Sequence, residues 1–228
     1  MKPIFLHIPK TAGTALKNLQ DSDYKLLDFD IDVAQKGHYT DLFNTAPRSV
    51  VFCIRDPWQR FASAFYTRKL ADKRMQLYEQ VKHRKKRNWG YNLSDDEEKQ
   101  FFVQFPTPDS VISGWRKGLV AFGNSNVTPL KEMLSGITMW LGNLENYQTH
   151  EHRVYRVFDT KALDEVFKDL YNVKLPTDNF DRRSQQLFDN EFITYEISDD
   201  NLAYFKDVRK MDYKLLNHIR NQTYYFGE

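Results

Sequence analysis

Three short strand-like segments, two of them apolar runs and the third alternating, constrain this chain more than any other feature. "PIFLHI" (3–8), "SVVFCI" (49–54) and "RVYRVF" (153–158) each pass through a polar break into a segment with helical spacing. Apolar runs of four to eight residues bounded by turn formers read as strands, whereas buried helices need about ten residues or more. "YKLLDF" (24–29) is a further strand candidate. Strands that alternate with helices imply a parallel sheet covered on both faces, here a three-layer α/β/α arrangement with about four to five strands. The chain has 228 residues, 41% of them apolar, enough to bury the core of a single domain spanning 1–228.

The helical segments follow from spacing and punctuation. After "SVVFCI", "RDP" breaks the strand and Pro57 suits the first turn of a helix. In that helix, "WQRFASAFYTRKL", Phe61, Ala64 and Phe65 share a face, and the pattern extends towards the eighties. "AQKGHYTDLFN" (34–44) reads as a turn and short helix, and "LSDDEEKQFFVQF" as a helix capped by Ser94 with Glu97 three residues on. "TPDSVISGW" and "TPLKEML" are short helices. "DTKALDEVFKDLY" is an amphipathic helix with Asp159 or Thr160 as its cap, and "SDDNLAYFKDVRKMDYKLLNHI" is a long C-terminal helix or a pair.

Composition narrows the class of protein. The formal charge of +2 does not describe a global polyanion binder, yet residues 68–87 carry nine Lys or Arg against Asp72 and Glu79. A solvated helix face and a polyanion-facing groove both fit that segment, and Trp89 and Tyr91 in "RKKRNWGY" add flat faces for stacking. The single cysteine, Cys53, lies inside an apolar run and reads as a small buried hydrophobe, which fits a reducing compartment. No apolar stretch approaches the roughly 18 residues of a membrane span, and "PIFLHI" reads as a strand rather than a signal segment. The expected location is therefore cytoplasmic, the alternative being the lumenal catalytic domain of a secretory-pathway enzyme without its anchor. Nothing in the sequence marks a nucleic-acid-binding motif. The "HEH" triplet of His150 and His152 lacks the i, i+4 spacing of a helical metal site, so no metal is expected.

In a parallel sheet, ligands bind beyond the carboxyl ends of the strands. Two suspicious loops leave strands at that edge. "PKTAGT" (9–14) offers a glycine for close backbone approach, the N-terminus of a following helix, and the point charge of Lys10. The loop departs from the Walker A pattern, because Lys10 precedes Gly13 instead of following it and no Gly-Lys-Ser/Thr run is present. In "IRDPWQRFASAFY", Arg55 leaves the strand and Ser63 stands about two helical turns along, with Arg60 between them. An arginine fork and a serine hydroxyl so placed suit one phosphate monoester. The ordinary alternatives are a salt bridge from Arg55 to Asp56 and a small packing residue at Ser63. His38, in "GHY", stands beyond the second strand candidate. It is either a capping histidine or, with an ordinary pKa near 6.5, a general base.

The two loops together, in this order, resemble the sulfotransferases that use 3′-phosphoadenosine 5′-phosphosulfate (PAPS), especially carbohydrate O-sulfotransferases of the heparan sulfate 2-O-sulfotransferase type. Weaker echoes are "GHY", "FFVQF", "MWLGN" and "MDYKLL". The resemblance implies a P-loop NTPase-like fold. It implies that Lys10, Thr11, Ala12, Gly13, Thr14 and Ala15 hold the 5′-phosphate, largely through backbone N–H groups, and that Arg55 and Ser63 hold the 3′-phosphate. Lys10 would also neutralise the departing phosphate, and His38 would be the catalytic base, with a carboxylate as the alternative. The acceptor would be a hydroxyl, most naturally on an oligo- or polysaccharide, and the by-product adenosine 3′,5′-bisphosphate (PAP). A basic helical segment around 68–120 would form the acceptor side, with Arg60, Arg68, Lys69, Arg74, Trp89, Tyr91, Trp115 and Arg116 as contact candidates. Two other readings stand beside this one: a P-loop-type nucleotide or small-molecule kinase, and a non-catalytic polyanion-binding protein.

Overall fold

The computed structural model describes residues 2–8, 10–11, 15–16, 19, 21–31, 48–70, 96–120, 136–175 and 194–227. His38, Ala12, Gly13, Thr14, Arg74, Trp89 and Tyr91 lie outside the described residues, as do the 34–44 and "TPLKEML" helices, the Ser94 cap and the basic segment beyond Leu70.

The chain divides into two compact units, one of Met1–Arg60, Ser135–Arg183 and Val208–Glu228, the other of Phe61–Leu134 and Ser184–Asp207. The first contains a parallel four-stranded sheet in the order β1-β2-β3-β4. Its strands are β1 (Ile4–Leu6), β2 (Val50–Ile54), β3 (Val154–Asp159) and β4 (Tyr225–Phe226). β1 and β2 are buried on both faces, as continuous apolar strands of a doubly covered sheet must be.

Alternate residues of these strands enter two different cores. Ile4, Leu6, Val50, Phe52, Ile54 and Val157 pack with Trp140, Tyr147, Leu215, Leu216 and Ile219. These partners lie on α5 (Thr138–Leu141), α6 (Leu144–His150) and α9 (Lys210–Arg220). Phe5, Val51, Cys53 and Phe158 pack the opposite way, against Leu16, Leu27, Phe29 and Ile31 and against Leu163, Phe167 and Tyr171 of α7 (Leu163–Tyr171). Helical segments thus cover both faces of the sheet.

Three sequence expectations need correction. "YKLLDF" is not a strand: residues 21–24 form the short helix α1 (Asp21–Tyr24), and one residue, Asp30, pairs with β1. The period-two burial is real but later, at Leu27, Phe29 and Ile31. Asp30 lies on the side of β1 away from β2, bonded through Phe5 N to Asp30 O at 2.8 Å and Asp30 N to Pro3 O at 2.8 Å. Neither Asp159 nor Thr160 caps α7. That helix starts at Leu163 without a side-chain cap, because Asp159 ends β3 and is engaged elsewhere. Finally, β4 was not anticipated: the aromatic "YYF" after α9 supplies it.

The second unit is helical where described. It includes α2 (Pro57–Lys69) from Phe61 onward, α3 (Asp96–Gln104), α4 (Pro108–Arg116) and α8 (Asp199–Val208). Its interior is aromatic, with Phe65 edge-on to Phe102 at 5.2 Å and Phe61 against Phe205 at 5.5 Å. Thr107 and Ser110 form a reciprocal capping box at the start of α4. Asp109 accepts Ser198 N at 3.0 Å and Asn201 Nδ2 at 2.8 Å, tying α4 to the start of α8.

Candidate functional site at the carboxyl edge of the sheet

From β1 the chain goes first to Asp30 on one side and later to β2 on the other. The strand order therefore reverses between β1 and β2, the position at which doubly wound sheets open a crevice beyond their carboxyl ends. Lys10 follows β1 there, and Arg55 follows β2 directly. Both side chains are half-buried.

The first loop is tightly built. Ile8 and Thr11 are fully buried, and Thr11 Oγ1 donates to Ile8 O at 2.7 Å. Lys10, between them, has φ 66°, the left-handed region. Ala15 and Leu16 are helical and buried (5% and 0% exposed), and Leu16 packs in the core that contains Phe5 and Val51.

The second loop ends in a helix cap. Asp56 Oδ1 accepts from Trp58 N at 2.9 Å and Gln59 N at 3.1 Å, so its carboxylate serves the orphan amides at the start of α2. Burial, and then the Asp56 charge, push the Tyr213 phenol above its ordinary range, so it stays neutral.

At the carboxyl end of β3, paired in register with Ile54, stands Asp159, 3% exposed. Its carboxylate accepts from Lys161 N at 3.0 Å, Arg220 Nη2 at 3.1 Å and the Tyr225 hydroxyl at 3.0 Å. Burial lowers the Arg220 pKa, but Asp159 and then Tyr225 more than offset it, so the guanidinium keeps its charge. Asp56 thus serves backbone amides and Asp159 pairs with an arginine.

Arg60 is not where the acceptor reading places it. It is 2% exposed, and its guanidinium lies 4.5 Å from the Trp140 ring centroid, a buried cation–π contact. Trp140 belongs to "MWLGN". The N-terminus of its helix α5 is held by Asp212 of "MDYKLL", which accepts Thr138 N at 3.0 Å and Thr138 Oγ1 at 2.7 Å. The sequence marked both segments only as echoes. Their acidic and aromatic residues turn out to support the fold beneath the "RDPWQR" loop.

The remaining candidates belong to the second unit. Ser63 is half-buried on α2, with its carbonyl taking the Thr67 hydroxyl at 2.7 Å. Arg68 is half-buried on the same helix, and Lys69 Nζ donates to Pro106 O at 2.8 Å. Trp115 stands edge-on to Tyr204 at 5.8 Å, and the exposed Arg116 pairs with Asp200 at 3.3 Å. Asp159, Arg220 and Tyr225 were missed by sequence reasoning, because they lie on three elements and share no motif.

No protein-family model, curated protein or solved structure matches this chain. Among the described residues, no helix is long and apolar enough to cross a membrane.

Proposed function

We propose that this chain is a PAPS-dependent O-sulfotransferase acting on a carbohydrate hydroxyl. One observation carries the reading: two cationic loops, at Lys10 and Arg55, leave adjacent parallel strands at the point where the strand order reverses. The pairing of Asp159 with Arg220 supports it, since the guanidinium offsets the charge of that carboxylate. A P-loop-like nucleotide fold accommodates this arrangement.

PAPS would supply the sulfuryl group. Lys10 stabilises the charge that grows on the departing 5′-phosphate, a gain larger in the transition state than in the ground state. Backbone N–H groups of the loop containing Thr11 bind that phosphate. Arg55 takes the 3′-phosphate, and the resemblance adds Ser63 on the helix Arg55 leads into. His38 is the assigned proton acceptor for the acceptor hydroxyl.

Calorimetry with PAP, and separately with ATP and Mg²⁺, tests the reading. PAP is expected to bind without metal. Lys10→Ala and Arg55→Ala should each weaken it by about tenfold or more, the scale of one lost charge-assisted contact. Metal-dependent ATP binding with no PAP binding would overturn the proposal in favour of a kinase. A transfer screen with labelled PAPS over polysaccharides, oligosaccharides and small alcohols then identifies the acceptor class.

A further inference from the structure

Lys10 and Asn172 are the non-glycine residues with positive φ among the described residues, at 66° and 53°. Asn172 closes the C-terminus of α7, where asparagine commonly adopts this conformation. Lysine has no such local compensation, so its left-handed backbone persists only where the surroundings dictate it.

The neighbouring threonine supplies that constraint. The bond from Thr11 Oγ1 to Ile8 O, 2.7 Å long, runs from the residue after Lys10 to the residue two before it. Both ends are fully buried. A buried hydroxyl and a buried carbonyl each need a partner, and here each satisfies the other. Opening the turn at Lys10 would strand both. The Thr11 hydroxyl proton is thus committed to the protein interior.

We propose that Thr11 is a positioning residue. Its hydroxyl, by closing the turn onto Ile8, locks Lys10 in the left-handed conformation and so fixes the ammonium that faces the donor's 5′-phosphate. The target of that ammonium rests on the sulfotransferase reading; the conformational lock does not. This differs from the role the family resemblance implies for Thr11, which is to hold the phosphate itself.

Two measurements on the full chain test it. The first reads the Lys10 backbone by NMR, from amide–Hα coupling and Cα/Cβ shifts. Positive φ is expected in the wild type and in Thr11→Ser, and its loss in Thr11→Val, with Thr11→Ala serving where Thr11→Val does not fold. Retention of positive φ without the hydroxyl, or its loss in Thr11→Ser, overturns the lock whether or not PAP binds. The second is a double-mutant cycle on PAP affinity with Lys10→Ala. Thr11→Val should weaken PAP binding about tenfold when Lys10 is present and less than about twofold when it is absent, with Thr11→Ser near wild type. Equal losses in both backgrounds would show that Thr11 does not act through Lys10. No PAP binding by the wild type would instead sink the sulfotransferase reading, leaving the NMR result to decide the lock.

Discussion

Asp212 shows what one buried carboxylate does for this chain. It is 2% exposed, accepts two hydrogen bonds from Thr138, and lies 3.7 Å from Arg209. A buried acid is tolerable only with such partners. A Cβ added at Gly136 would run into that carboxylate. Gly136→Ala should therefore destabilise the protein by roughly 1–3 kcal/mol, as overpacking does. Chemical denaturation measures it, and an unchanged midpoint would mean that Asp212 yields freely. At this scale the sequence was informative about position, since Lys10 and Arg55 follow strands as their motifs suggest. It was uninformative where burial decides the role. The sequence shows Arg60 between Arg55 and Ser63, and only the packing of Trp140 over its guanidinium reveals an interior residue.

Among the elements, the helix leaving β2 depends on its first turn. Asp56 receives two backbone amides of α2, and Pro57 occupies a position whose N–H has no helical partner. Asp56→Ala should cost about 1 kcal/mol in stability, and Asp56→Asn should recover most of it, because asparagine caps equally well. Comparing urea midpoints of the two variants checks this; equal losses would point to the charge rather than the cap. The strands at 4–6 and 50–54 were legible because doubly buried strands are continuous apolar runs between breaks, and the strand at 154–159 because its apolar and polar residues alternate. The 24–29 segment misled because its apolar residues are dense, while the bridge to β1 falls at Asp30, just beyond it. β4 escaped because two paired residues leave no periodicity to read.

For the whole molecule, charge networks on the sheet set the response to acid. Asp28 accepts the hydroxyls of Tyr155 and Tyr171, each at 2.8 Å, and Arg156 Nη1 at 2.6 Å. Burial raises its pKa, but the two tyrosine hydroxyls and the arginine outweigh burial and hold the carboxyl below its ordinary value. A carboxyl depressed in the folded state stabilises above its unfolded pKa of about 3.9, and that stability is lost as pH falls through the lower folded value. Asp28→Asn should thus be less stable than wild type near neutrality and lose less on acidification below about pH 4, seen as a flatter acid limb in urea midpoints against pH. Parallel acid limbs would show that Asp28 is not coupled to folding. The core records unfolding in another way. Cys53 is the chain's single cysteine, fully buried in β2, and burial, then Asp159, push its thiol well above the ordinary range. Folded protein should therefore resist alkylation, and its slow labelling rate, read by mass, becomes a clock for how often the middle of the sheet opens.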